Sequence, residues 1–398
     1  MKRMKKFILF LFCFMFILIP LEIEASEDEP SETHKTEEDL RTDMIDNLSI
    51  EELDQHWQQL YHDYGDFLTE VPKKSIKEMI QEDTSISITS MLKGVGHYLF
   101  YEVTMQAKLL GTLIMLTLFS IILRAISSAF EQNTVTQTAH FIVFIVLLYI
   151  MLMSFHEVFL YAKETIESMS HFLIALLPLM LGLIATFGQV LSVSFFHPII
   201  IFLIHVSGLL MTSFVFPLLF LSALLMIVSH MNEKYQATYL ADLFKHISLG
   251  TLGVFITIFL GVISIQGTAT AIQDGVALKT TKFITGNFVP VIGRSFTEAA
   301  DTVLSAALLL KNAIGIFGLI IIISIAVFPL VKITVIAIMY KLAAALLQPL
   351  GSNSTTTCLN MISKYMMYIL ACLIVVTFMF FLAIVLMIVA SNIPFLFR

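Results

Sequence analysis

The sequence predicts an all-α, polytopic membrane protein. About six to eight transmembrane helices follow a small extracytoplasmic N-terminal helical segment. Three observations predict this. Of 398 residues, 58% are hydrophobic and 13% charged, where soluble domains run near roughly 45–50% and 25%. The apolar residues come in runs of the ~20 residues that one membrane crossing needs. The chain also opens with a basic, then apolar, then small-residue pattern ahead of a long acidic stretch. Mean hydropathy is +0.89. With 34 Phe and 21 Met, a soluble chain could not cover itself with polar surface.

The N-terminus reads as a secretory signal peptide over residues 1–25. Lys2, Arg3, Lys5 and Lys6 form its basic region, residues 7–21 its apolar region, and Ala25 the small residue before a cleavage point. An uncleaved anchor is the alternative, because the site is not a clean A-x-A. Cys13 has no lipobox around it. Nothing in the spacing of Cys358 and Cys372 argues for a disulfide or for metal ligation.

Residues 26–92 form the one long polar region. Between Ser26 and Glu70, 15 Asp and Glu stand against Lys35 and Arg41. SEDEPSETHKTEED has no periodicity and is expected to be disordered. From Asp46, Leu48, Leu53, Trp57, Leu60 and Tyr61 recur at helical spacing, so an amphipathic helix should end near Gly65. It would serve as a contact for a partner or the membrane, or as a cap on its own protein. The cap is the blander reading and the preferred one.

Clear spans are expected at 109–129, 141–161, 172–187, 249–272 and 365–390. The runs 195–229 and 313–350 are longer than one span. Pro198, Pro217, Pro329 and Pro349 make each either one tilted or broken helix or two short ones. AKETIESMSH reads as an outer loop after the second span. With Arg124 near the inner end of the first, this fits basic residues lying inside.

Two segments are similar at an offset of 111: HFLIALLPLMLG from His171 and KFITGNFVPVIG from Lys282. Val215-Phe216-Pro217-Leu218 and Val327-Phe328-Pro329-Leu330 repeat at an offset of 112. LADLFKH and CLNMISKY continue the series. A duplication of 170–275 as 280–395 would explain them, and copies with an odd number of spans would be inverted.

The stretch TKFITGNFVPVIGRSF, 281–296, interrupts this apolar region with Lys282, Asn287 and Arg294. Gly286, Pro290 and Gly293 argue against a long helix. Ser295-x-x-Glu298 reads as a capping box for a helix starting near Phe296. There Glu298, Asp301, Thr302 and Ser305 share one face. A polar stripe on an apolar helix must avoid lipid, so it would line a watery cavity, meet a partner or lie at the membrane surface. His197 and His205 read as packed or hydrogen-bonded histidines before a proton relay. Lys332 reads as snorkelling to an interface before pairing with a buried acid.

Catalysis finds little support. His156-Glu157 is not followed by the second histidine of a zinc helix. There is no P-loop, no G-x-S-x-G elbow and no ATP-binding domain, so no cofactor is expected. Net charge −7 without a basic patch disfavours nucleic acid.

The run from Phe259 to Asn312, together with FFHPIIIFLIHVSGLL, VFPLLFLSALLMIVS, YKLAAALLQPLG and HWQQLYHDYG, closely resembles the stage III sporulation protein AE family of endospore-forming bacilli. The resemblance implies a mother-cell protein in the membrane surrounding the engulfed forespore. It implies partners from the same operon of eight proteins and a forespore membrane partner, assembled as a trans-envelope channel complex likened to secretion systems. That complex would support late forespore gene expression. The AE member would be its permease-like component, with no catalytic residues. A conduit needs Glu298 and Asp301 on an aqueous path; a non-conducting scaffold needs them against a partner.

Overall fold

The computed structural model describes residues 50–68, 72–81, 87–129, 134–186, 190–231, 237–288, 292–350 and 354–396. The signal-peptide expectation and the acidic stretch before residue 50 lie outside them. Two short helices come first, α1 at Glu51–Tyr64 and α2 at Ile76–Gln81. The bundle follows: α3 at Ile88–Ala129, α4 at Thr134–Thr186, α5 at Val190–Leu210, α6 at Phe216–Met231, α7 at Thr238–Phe288, α8 at Ile292–Leu347 and α9 at Ser354–Leu396.

Among the described residues, six stretches are long and apolar enough to cross a membrane: Thr89–Ile126, Phe141–Ala185, Pro198–His230, Thr238–Ile265, Val303–Leu350 and Ser354–Val389. The chain is therefore an all-α multi-pass membrane protein. Six is the low end of the sequence expectation, because two ambiguous runs and one supposed loop are each continuous helix. A π-helical turn at Met211–Val215 joins α5 to α6, so 195–229 is one rod rather than two. α8 passes through Pro329 without stopping. An interior proline costs about 3 kcal/mol in an ordinary helix. Breaking a helix in hydrocarbon exposes several unpaired peptide groups and costs more.

AKETIESMSH is helical as well, which corrects its reading as a loop. Ala162, Thr165, Ile166 and Met169 are buried at helical spacing, while Glu164, Glu167, Ser168 and His171 are exposed. The polar residues are one outward face of α4. Lys163 and Glu167 form an exposed ion pair across one turn.

The centre of the bundle is the α8–α9 hairpin. In the most apolar windows, 72% of the α8 span and 61% of the α9 span are buried, against 17% for α3. Ser363 Oγ donates to the Ala337 carbonyl at 2.8 Å, fixing the antiparallel register. Farther up the pair, a Cβ at Gly315 would come within 2.6 Å of the Ile388 side chain, which packs directly on the α8 backbone there. Lys311 is fully buried beside this contact and donates to the Ile388 carbonyl at 3.3 Å. Cys358 and Cys372 are both free and buried in α9.

The amphipathic helix expected over 46–65 is α1, starting at Glu51. Its apolar face is spent on its own chain: Leu53, Trp57 and Leu60 are buried. Trp57 Nε1 donates to the Lys74 carbonyl at 3.1 Å, and the Ile76 amide donates to Asp54 Oδ1 at 2.9 Å. These bonds tie α2 to α1. At the start of α2 the Lys77 amide donates to Ser75 Oγ at 3.3 Å, and the Ser75 amide to Glu78 Oε2 at 3.2 Å. That is a reciprocal capping box. Together α1 and α2 form a cap seated on α4 and α8.

The cap also meets α3 backbone to backbone. A Cβ at Gly94 would overlap the Phe67 carbonyl oxygen. A carbonyl cannot move aside as a flexible side chain can. Gly94→Val should therefore release the cap while leaving the bundle inserted. Limited proteolysis in native membranes would show it, as faster cleavage between residues 68 and 87 than in the parent chain.

Candidate functional site

The cap, α3, α4 and α8 meet in a seam of aromatic and charged side chains. The Tyr64 ring, at the end of α1, stacks on Phe328 of α8 with centroids 4.1 Å apart and planes 5° from parallel. Tyr98 of α3 stands edge-on to both, at 5.2 Å from Phe328 and 5.7 Å from Tyr64. Phe67 closes the group at 5.0 Å from Tyr98. Edge-to-face and offset pairs of this kind add about 0.5–1.5 kcal/mol each beyond burial. Phe328 precedes Pro329, so the cap grips α8 at the turn where proline removes a backbone donor.

One turn along α8, Lys332 Nζ donates to the Tyr161 hydroxyl at 2.5 Å and lies 3.9 Å from the ring centroid. That hydroxyl donates to Glu157 Oε1 at 2.9 Å. Cation, phenol and carboxylate form a chain from α8 to α4. Lys332 is thus held by a partner inside one continuous helix and does not mark a break between two. On α3, Glu102 is buried at 4% exposure and accepts from Gln106 Nε2 at 2.9 Å. Burial, and then the charge of Asp63, push the Tyr64 hydroxyl up to about 12, so it stays protonated.

Beside the seam, His56 of α1 meets Phe172 edge-on at 5.7 Å. An open cleft of about 360 Å³ is lined by Glu52, Gln55, His56, His171, Ile174 and Ala175. Burial, and then His171, hold the His56 imidazole below its ordinary value, with Glu52 pulling the other way. Among the described residues, no three His, Cys, Asp or Glu side chains converge in a way that could hold a metal ion.

The residues singled out from sequence fall elsewhere. Lys282 and Asn287 lie on the last turns of α7, and Arg294, Glu298, Asp301 and Thr302 on the first turns of α8. Their side chains lie outside the described residues, as does that of His197. Ser305 is half-buried in α8, and His205 is exposed, not packed as expected. Of the stretch 281–296, where a break is expected, residues 289–291 lie outside the described set. Helix continues to Phe288 and resumes at Ile292. Ser295 is therefore an interior helical residue, not the cap of a helix beginning at Phe296. Glycine costs about 1 kcal/mol in a helix, less than leaving peptide groups unpaired in an apolar setting.

The seam escapes a reading along the chain because its members lie far apart in it. Lys332 and Tyr161 are 171 residues apart. The available signal was a lone lysine in α8 and a Glu157…Tyr161 pair one turn apart on α4.

Fold and seam together describe a multi-pass membrane protein with an N-terminal helical cap locked to its central helix. Comparison with known proteins places it more closely. The family model described as stage III sporulation protein AE matches residues 71–391. Stage III sporulation protein AE of Bacillus subtilis (strain 168) is 46% identical over 399 residues, covering 100% of each chain. The chain belongs to the stage III sporulation protein AE family. That family is named for a stage of sporulation, not for an enzymatic activity. No solved structure matches.

Among the described residues, the Tyr161 hydroxyl is what links Lys332 to Glu157. Tyr161→Phe should lower stability by about 0.5–1.5 kcal/mol, the usual net worth of an intramolecular hydrogen bond, because Lys332 is half-buried and Glu157 exposed. Thermal unfolding of the purified protein in detergent measures it. An unchanged midpoint would mean that the link contributes nothing.

Proposed function

We propose that this chain is the membrane-embedded, permease-like component of a trans-envelope channel complex between mother cell and forespore, required for late forespore gene expression and spore development. It would sit in the mother-cell membrane around the forespore, with the cap on the extracytoplasmic side. Its partners would be the other proteins of its operon and a forespore membrane protein. Family membership supports the sporulation role. The observation that carries the membrane role is the closed, lipid-compatible bundle built around α8 and α9.

The alternative is a non-conducting scaffold anchoring the other complex proteins, and one observation favours it. Phe155, Phe172, Phe216, Phe328, Tyr340, Phe380 and Phe381 are all fully buried and fill the middle of the described bundle. A solute path between α4, α8 and α9 of one copy would have to displace them. A conduit reading therefore rests on the polar positions around the α7–α8 connection: Lys282, Asn287, Arg294, Glu298, Asp301, Thr302 and Ser305.

The two V-F-P-L motifs bear on the proposed duplication. One lies at the junction into α6 and the other within α8, and each helix is followed by one return helix, α7 or α9. Copies made of such two-helix hairpins would run in the same direction, and inversion would not arise.

Replacing Glu298 and Asp301 together with Leu makes the segment more apolar, so insertion should persist. Spore yield should fall steeply if the stripe lines a path or meets a partner. Normal sporulation of the double variant, at normal protein level, would remove the conduit reading.

A further inference from the structure

Lys245 of α7, Lys341 of α8 and Lys364 of α9 lie toward the end of the bundle that holds the α8–α9 turn. The Ser363–Ala337 hydrogen bond sets the register of α8 against α9. Lys364 is the residue after Ser363 and Lys341 lies one turn beyond Ala337, in opposite directions along the antiparallel pair, so the two stand about 7.5 Å apart along the hairpin axis. Ser222 Oγ of α6 donates to the Ala241 carbonyl of α7 at 2.5 Å and lies 2.7 Å from the Tyr365 hydroxyl of α9. That brings the first turns of α7 to the level of Lys364. Lys245, one turn after Ala241, is within electrostatic reach of Tyr365 and Tyr368.

The charges do not cancel. Lys245 is paired with Asp242. Lys341 and Lys364 are exposed and have no ion pair among the described residues. Their surroundings are apolar and exposed: Leu243, Ile247, Ile338, Leu342, Leu346 and Met367. Ammonium groups on a lipid-facing surface gain most from an anion that brings its own apolar chains. Long lysine stems reach for such headgroups while their methylenes stay on the apolar face. The Tyr365–Tyr368 pair, edge-on at 5.7 Å, adds the amphipathic rings found at membrane interfaces.

We propose that Lys341 and Lys364, with Lys245 on α7 at their level, bind the phosphate headgroup of an anionic phospholipid, whose acyl chains lie along Ile338 and Met367. The lysines supply the charge, and these two side chains the tail contact on the side away from the α8–α9 turn. Lys245 holds Asp242, which keeps that carboxylate from competing with the phosphate.

The test is equilibrium binding of a fluorescent phosphatidylglycerol to the purified full chain in neutral detergent. Lys341→Gln and Lys364→Gln should each weaken binding about fivefold, the effect of one lysine near an anionic headgroup. The double variant should be weaker still, and Lys341→Arg with Lys364→Arg should retain binding. Lys163→Gln, on α4, should change nothing. A phosphatidylcholine analogue should bind weakly and equally to all variants. Unaltered phosphatidylglycerol binding by the double Gln variant would overturn the proposal. So would loss in the Arg pair, since the effect would then be structural. Full competition by glycerol phosphate would reassign the surface to a free phosphate ester.

Discussion

Peptide groups surrounded by hydrocarbon have no water to bond, so each must be paired within its own segment. That constraint shapes the whole chain. It keeps α4 helical past Pro178, α5 past Pro198 and α8 past Pro329. It carries α7 through Gly286 to Phe288, where sequence alone suggests an end. It also yields rods longer than any bilayer. The 56 residues of α8 extend about 84 Å, against a hydrocarbon core of about 30 Å. A large part of such a rod must be covered by protein, and the surrounding helices and the cap supply the cover.

Polar side chains obey the same rule. Thr165, Ser170, Ser207, Ser324, Thr334 and Thr377 each donate to the carbonyl four residues back in their own helix. A hydroxyl can satisfy itself locally in this way; the Lys332 ammonium instead reaches across to Tyr161 of α4, whose hydroxyl donates to Glu157 one turn back on the same helix. The seam sits where the cap covers the proline turn of α8, so the turn that lacks a backbone donor is braced from outside.

Membrane class, the number of apolar runs and α1 are legible in the sequence because each follows from composition or from a regular period. Trp57, Leu53 and Leu60 mark the buried face of α1 correctly. What is not legible depends on packing. AKETIESMSH has the composition of a loop, and only its neighbours show that Ala162, Ile166 and Met169 are an inward face. Ser295-x-x-Glu298 and Ser75-x-x-Glu78 are equivalent strings, yet only the second caps a helix. Upstream residues, not the motif, decide where a helix begins. Lys332 was visible as an anomaly, but its partner lies on a helix that no local pattern connects to it. The stripe from Glu298 to Ser305 keeps its helical spacing within α8, which leaves the functional weight placed on it to experiment.

The central claim is that the N-terminal cap clamps α8 at Pro329. It is tested most directly by placing cysteines at Tyr64 and Phe328, whose rings stack at 4.1 Å, in a chain whose native cysteines are replaced by alanine. In native membranes a short bifunctional thiol reagent should join the two within one chain. It should not join Tyr64→Cys to Val228→Cys, an exposed position on α6. Failure to join 64 to 328, with both cysteines reactive singly, would contradict the clamp.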